Sequence, residues 1–198
     1  MKSASIKNIW SLNVDEALVA NKLKKTFNKE NYEVFFPVNA QSKGIDLIFF
    51  NKNTKKAVTI QVKGSKPYDP PKYENTRHGE GGNSAGFSIP KIPLGERVDF
   101  FILVASRTKL LFKRKAKPFM GGYYMSEDYL VIPINDFREI MKQMKVFEPR
   151  LGNWLHLFFY SNDESEKAEV QCHEFEKSGI DLSKYLNNWD FIEKKING

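Results

Sequence analysis

Gly44-Ile45-Asp46-Leu47-Ile48-Phe49-Phe50, followed after a polar break by Ala57-Val58-Thr59-Ile60-Gln61-Val62-Lys63, decides how this chain is read. Residues 45–50 and 57–62 are short, mostly apolar and β-branched or aromatic, and turn-type residues bound them, which is the pattern of two strands. The break, Asn51-Lys52-Asn53-Thr54-Lys55-Lys56, is polar and Asn-rich and suits a tight hairpin. With the turn centred on Asn53-Thr54, the antiparallel register sets Asp46 directly opposite Gln61, and such pairs have Cβ atoms about 4.5–5.5 Å apart. Lys63 lies two residues beyond Gln61 and shares its face, whereas Ile60 and Val62 point the other way, into packing. Unpaired charges are costly in apolar strands and persist when a partner or a metal compensates them. One face of the hairpin therefore gathers a carboxylate, an amide carbonyl and an ammonium.

Each of these groups has a chemical use. A hard cation such as Mg²⁺ takes oxygen ligands and keeps several waters and a substrate phosphate oxygen. Asp46 would supply charge, Gln61 a neutral carbonyl oxygen, and the Val62 main-chain carbonyl another. Bound metal lowers the pKa of a water and neutralises charge building on a phosphorane-like transition state. Lys63 would orient or deprotonate that water, or stabilise the five-coordinate phosphorus.

An Asp followed about 10–20 residues later by Glu/Asp/Gln-x-Lys at the end of an apolar strand resembles the PD-(D/E)XK, or restriction-endonuclease-like, nuclease superfamily. Gly-Ile-Asp-Leu…Ile-Gln-Val-Lys-Gly is similar to its core, with Gln61 in the variable acidic position. The resemblance implies an α/β fold in which a mixed central sheet is flanked by helices. It also implies a preceding amphipathic helix that often contributes a Glu. Val14, Leu18, Ala20, Leu23 and Phe27 form a helical apolar stripe, with Asn13 as the N-cap. Two roles stand open for Glu16 at its start: a fourth catalytic member, or a capping-box residue that satisfies backbone donors. Asp15 is the less favoured catalytic acid. Tyr32–Pro37 reads as the first strand, Val98–Val104 and Tyr129–Pro133 as later ones, and Asn135–Met144 as a helix. The resemblance covers residues 13–65 well and is compatible to about 145. The activity it implies is Mg²⁺-dependent hydrolysis of DNA, with Mn²⁺ as a substitute and RNA left open as substrate. A non-cleaving relative that binds nucleic acid or a protein is the alternative.

Charge agrees with a phosphate-rich partner. The 198 residues carry net +7 with a pI near 9.3, and residues 163–198 hold nine acids against five bases, which leaves +11 on the rest. Lys109, Lys113, Arg114, Lys115 and Lys117 form a basic cluster suited to backbone phosphates, or simply a solvated hairpin turn. From Gly64 to Arg97 the chain is rich in Pro and Gly, so regular structure is not expected through most of it. Long irregular loops in compact domains are usually functional or disordered. Lys66, Tyr68, Tyr73, Arg77, His78 and Lys91 are its candidate nucleic-acid contacts, by stacking or phosphate binding, and Ser88 is a weaker one. Gly79-Glu80-Gly81-Gly82-Asn83 lacks the Gly-Lys-Ser/Thr ending of a P-loop.

Other chemistries find little support. The single cysteine, Cys172, permits no internal disulfide and no CxxC site. His78, His156 and His173 lack ligand spacing, and Cys172-His173 reads as a surface helix pair. No stretch reaches the roughly 20 apolar residues of a membrane span, and no signal-peptide core is present, so a cytoplasmic location is expected. Residues 1–198 read as one domain with a core over about 13–145 and a packing extension over 146–198. In that extension Trp154–Tyr160 reads as a strand, Asp163–Ser178 as an acidic helix, and Trp189–Ile192 as the anchor of a final helix. Its acidity would suit a homodimer surface complementary to the basic body.

Overall fold

Asn13 caps helix α1 (Val14–Thr26) with a side chain that accepts the Asp15 N–H at 3.3 Å. Acids at Asp15 and Glu16 and bases at Lys24 and Lys25 complement the helix dipole at its two ends. The computed structural model describes residues 13–37, 44–65, 83–90, 98–110, 123–147, 154–161, 169–171 and 180–198. Val19, Ala20 and Leu23 form the buried face of α1, and Phe27 seals its end. Val14, expected in that apolar stripe, is 71% exposed.

Strands β1 (Tyr32–Phe35), β2 (Leu47–Asn51) and β3 (Ala57–Gly64) form an antiparallel meander. The β2–β3 register pairs Leu47 with Ile60 and Phe50 with Ala57, the alignment the turn position required; the ladder ends at Leu47, and the Asp46 N–H bonds the Ile60 carbonyl, one residue out of that alignment. Local chemistry fixes that register. Asn51 Oδ1 accepts the N–H groups of Asn53 at 2.8 Å and Thr54 at 3.2 Å, and Lys55 takes the left-handed conformation at φ 59°. Asn51 Nδ2 donates to Asn197 Oδ1 at 2.9 Å, so the same side chain also ties the turn to the end of the last helix. Asn51 is buried, and Asn51→Ala leaves two turn N–H groups and the Asn197 amide without this partner. A loss of about 1–3 kcal/mol is expected, read as a shift in denaturant midpoint at constant slope.

Strand β5 (Phe100–Leu110) pairs parallel to β3, and β6 (Tyr123–Pro133) pairs antiparallel to β5, completing a five-stranded mixed sheet in the order β1-β2-β3-β5-β6. Two buried layers sandwich it. Leu47, Phe49, Ile60, Val62, Ile102 and Val104 face α1 and the C-terminal helix α3 (Asp190–Asn197). Phe101, Leu103 and Ile132 face helix α2 (Ile134–Phe147), joined by Leu182 and Tyr185 beside a short 3-10 turn. The described residues thus form an α/β structure with three α-helices. Trp189 and Ile192 are buried and anchor the final helix, as expected. None of the helices is long and apolar enough to cross a membrane, among the described residues.

One expectation is corrected: the acidic segment Asp163–Ser178 contains β8 (Glu169–Gln171) where a helix was expected. In the Gly64–Arg97 segment, where regular structure was not expected through most of the length, the described residues include one strand, β4 (Asn83–Pro90). Both belong to a second sheet, in the order β4-β7-β8-β9, with β7 at Trp154–Ser161 and β9 at Ile180–Asp181. Antiparallel pairing with the apolar β7 supplies the strand geometry that Asn-Ser-Ala-Gly does not favour by itself. Lys109 lies within β5 opposite Tyr124. Cys172-His173 lies outside the described residues.

Candidate active site

Asp46 stands one residue before β2, where the meander has not yet opened into a regular ladder. Its N–H donates to the Ile60 carbonyl at 2.9 Å, and its Oδ2 accepts the Val62 N–H at 2.7 Å. The carboxylate thus takes a ladder position that a β2 carbonyl would otherwise fill. N–H and C=O of one strand residue point to the same edge, so the Val62 carbonyl is also directed to the side of β3 that Asp46 occupies. Burial holds the Asp46 carboxyl above its ordinary range, against the opposing pull of the Val62 N–H and the Lys63 charge.

Gln61 brings the most telling observation. Its Oε1 is buried and has no hydrogen-bond partner among the described residues. A buried acceptor left unsatisfied costs about 1–3 kcal/mol, and native folds rarely carry one without a reason. Gly44 lies over it: a β-carbon there would sit 3.8 Å from Oε1, and the backbone runs at φ 94°, where L side chains are strained. The other buried unpartnered side-chain atom among the described residues, Trp189 Nε1, is a donor on the residue that precedes α3 and offers nothing to a cation.

Helix α1 delivers its first turn to the same end of β3. A hydrogen bond from the Asn13 backbone holds the Glu16 carboxylate, while the Asn13 side chain accepts the Asp15 N–H rather than that of Glu16, so half of the capping box is formed. The same carboxylate also lies in the field of Asp46, Lys63 and Asp15. Burial, then the Asp46 charge, raises its pKa; the Asn13 bond and Lys63 lower it, and Asp15 adds to the rise. Asp15, the less favoured acid, lies with its carboxylate directly against Gly64, where any β-carbon would overlap it. Burial raises its pKa too. The sequence signal for this approach is the glycine after Lys63, which opens room for a helix terminus.

Glu16, Asp46, Gln61 and Lys63 are thus brought to one region at the end of β3. Lys66, Tyr68, Tyr73, Arg77, His78, Lys91, Lys113, Arg114, Lys115 and Lys117 lie outside the described residues, and Ser88 is placed only as part of β4. For a hard divalent cation the oxygen set fits: two carboxylates, an amide oxygen lacking a partner and a main-chain carbonyl. Among the described residues no group of three or more His, Cys, Asp or Glu forms a metal-holding cluster.

In comparisons with known proteins, no family model, no curated protein and no solved structure matches this chain.

Proposed function

We propose that this chain is a Mg²⁺-dependent nuclease that hydrolyses DNA phosphodiester bonds on a restriction-endonuclease-like fold. The observation that carries the reading is the buried, unpartnered Gln61 Oε1 on the strand that also bears Lys63, with the Asp46 carboxylate bound to the intervening Val62. In support, α1, the β1–β2–β3 meander and, after β4 of the second sheet, a strand at Phe100–Leu110 come in the chain order that the sequence resemblance implies.

Asp46, Glu16, Gln61 and the Val62 carbonyl would hold the cation. Mg²⁺, when bound, supplies charge stabilisation at the phosphoryl oxygens and a more acidic water. Lys63 holds the attacking water or a non-bridging phosphoryl oxygen through its ammonium hydrogens. Water forms the new O–P bond, the bridging ester oxygen leaves with the electron pair, and a proton passes to that oxygen or to solvent. Asp46, fixed by the Val62 N–H, keeps its remaining oxygen directed by the strand rather than by solvent.

Plasmid DNA incubated with Mg²⁺ or Mn²⁺ tests the assignment, with wild type compared against Asp46→Ala and Lys63→Ala. Cleavage that survives both substitutions sinks it. A second reading, a non-cleaving nucleic-acid-binding domain, is favoured by the commitment of one Asp46 oxygen to Val62 and by the neutral Gln61. It expects salt-sensitive DNA binding, no cleavage with either metal, and no heat on Mg²⁺ titration.

Linkage gives an independent check. Asp15, Glu16 and Asp46 all have pKa values raised in the fold. The native state therefore holds their protons more tightly than the unfolded chain does. Their contribution favours the fold below the ordinary carboxylate range and is lost as pH rises through the raised values. A bound cation offsets that loss, so Mg²⁺ is expected to raise Tm at pH 7.5 and to do so progressively less towards pH 5. Differential scanning fluorimetry decides it: an equal rise at both pH values, or one retained in Asp46→Asn, contradicts metal binding at these carboxylates.

A further inference from the structure

The face of the meander that carries Gln61 and Lys63 continues outward to an aromatic pair. Phe35 on β1 is 45% exposed, and its ring lies 6.3 Å from that of Phe50 on β2 in an edge-on arrangement. Register and alternation put Phe35, Ile48, Phe50, Gln61 and Lys63 on one side of the sheet. Phe35 pairs with Ile48 and Ile48 with Thr59, while Asp46, two residues before Ile48, bonds Ile60 and Val62 of β3. Val34, Leu47, Phe49 and Ile60 face the opposite side, where α1 covers them. Of the large apolar side chains among the described residues, Phe35 and Val14 are the exposed ones, and Val14 belongs to the first turn of α1.

We propose that Phe35 and Phe50 form a stacking platform for the bases of an unpaired nucleic-acid strand whose backbone runs on to Lys63 and Asp46. The inference rests on the nuclease reading of that site and narrows its substrate to a strand presented single, at a flap, a frayed end or a single-stranded stretch. Bases inside a duplex cannot offer their faces to a side chain, whereas an unpaired base stacks on any aromatic ring irrespective of sequence. Charge agrees: the chain is net +7, and Lys55 and Lys56 stand exposed at the hairpin turn that follows Phe50 on β2. A second copy of the chain fits the patch less well. Three apolar side chains of which one is largely open fall far short of the roughly 800 Å² per partner that a stable interface buries.

Fluorescence anisotropy with labelled oligo(dT) and with a duplex of equal length, both in EDTA to suppress hydrolysis, tests the platform. Wild type is expected to bind the single strand more tightly than the duplex. Phe35→Ala is expected to weaken oligo(dT) binding about tenfold or more, so that the preference collapses, and Phe35→Tyr to restore it. Because Phe35 is 45% exposed on an edge strand, its alanine variant should still fold, with a Tm only a few degrees below wild type. Equal losses on both ligands, no loss, or no binding of oligo(dT) by wild type each overturn the proposal. So does a wild-type dimer that becomes monomeric in Phe35→Ala while oligo(dT) affinity is unchanged. Cleavage with Mn²⁺ that is indifferent to Phe35 overturns the platform and leaves the nuclease reading standing. Phe35-dependent binding without cleavage in either metal does the reverse.

Discussion

Lys63→Ala is expected to lower the rate of DNA cleavage by about 10²–10³-fold, the usual cost of removing one donor that meets developing charge in a transition state. Stability should barely move, because Lys63 is only half-buried and no hydrogen bond ties its ammonium to the described residues. The substitution has a second signature. The Lys63 charge now lowers the pKa of both Asp46 and Glu16. Without it both carboxyls titrate higher, so the acidic limb of the residual rate profile should move to higher pH. A lysine that merely solvates the end of a strand would leave the rate above that limb unchanged. Single-turnover cleavage of a short labelled substrate between pH 5.5 and 8.5 separates the cases. An unchanged rate at every pH rejects the role given to Lys63.

Phe101→Ala carries the largest expected effect on stability. Its ring is fully buried, stacks on Phe137 at 4.2 Å and 19°, and sits amid the layer beneath α2. Phe→Ala in a well-packed core costs about 3–5 kcal/mol, a large part of the roughly 5–15 kcal/mol that holds a typical domain together. The expected fall in Tm is on the order of 6–20 °C for a chain of this size. Phe137→Ala should cost a similar amount, and the double variant less than the sum of the two, since the first cavity already removes the stack. Phe101 is also the register partner of Gln61 across the parallel β3–β5 pair. Its loss should therefore loosen the site, and metal-induced stabilisation should shrink along with the global value. A fall of less than about 1 kcal/mol in chemical denaturation would mean that the layer re-forms around the gap.

What could be read from the chain was the part fixed by near neighbours. The Asn13 cap, the Asn-rich turn and the alternation of Leu47, Phe49, Val58 and Ile60 each act over a few residues, and together they set the β2–β3 register. The second sheet was not legible because its pairing is remote. Gly86 opposes Phe158, and nothing in Asn-Ser-Ala-Gly-Phe-Ser announces a strand until β7 lies beside it. Within the site, Asp46, Gln61 and Lys63 followed from spacing alone. That Asp46 spends one oxygen on Val62, or that Asp15 rests on Gly64, depends on how the helix end meets the strand, which spacing does not encode. The exposure of Phe35 was hidden for a similar reason: an aromatic in a strand is usually buried, and only the position of β1 at the edge of the sheet uncovers it.

The tether between the hairpin turn and the last helix bears on the order of folding. Tyr32, Asn51 and Thr54 reach Asn197 or Ile196 across sequence separations of 165, 146 and 142 residues. Contacts so remote pay a large loop-closure entropy and tend to form late. The bonds from Asn51 to Asn53 and Thr54, two and three residues away, can form at once. One side chain thus takes part in an early local event and in a late global one. The carboxylate and lysine constellation would be drafted when the meander closes and locked only when the far end of the chain arrives.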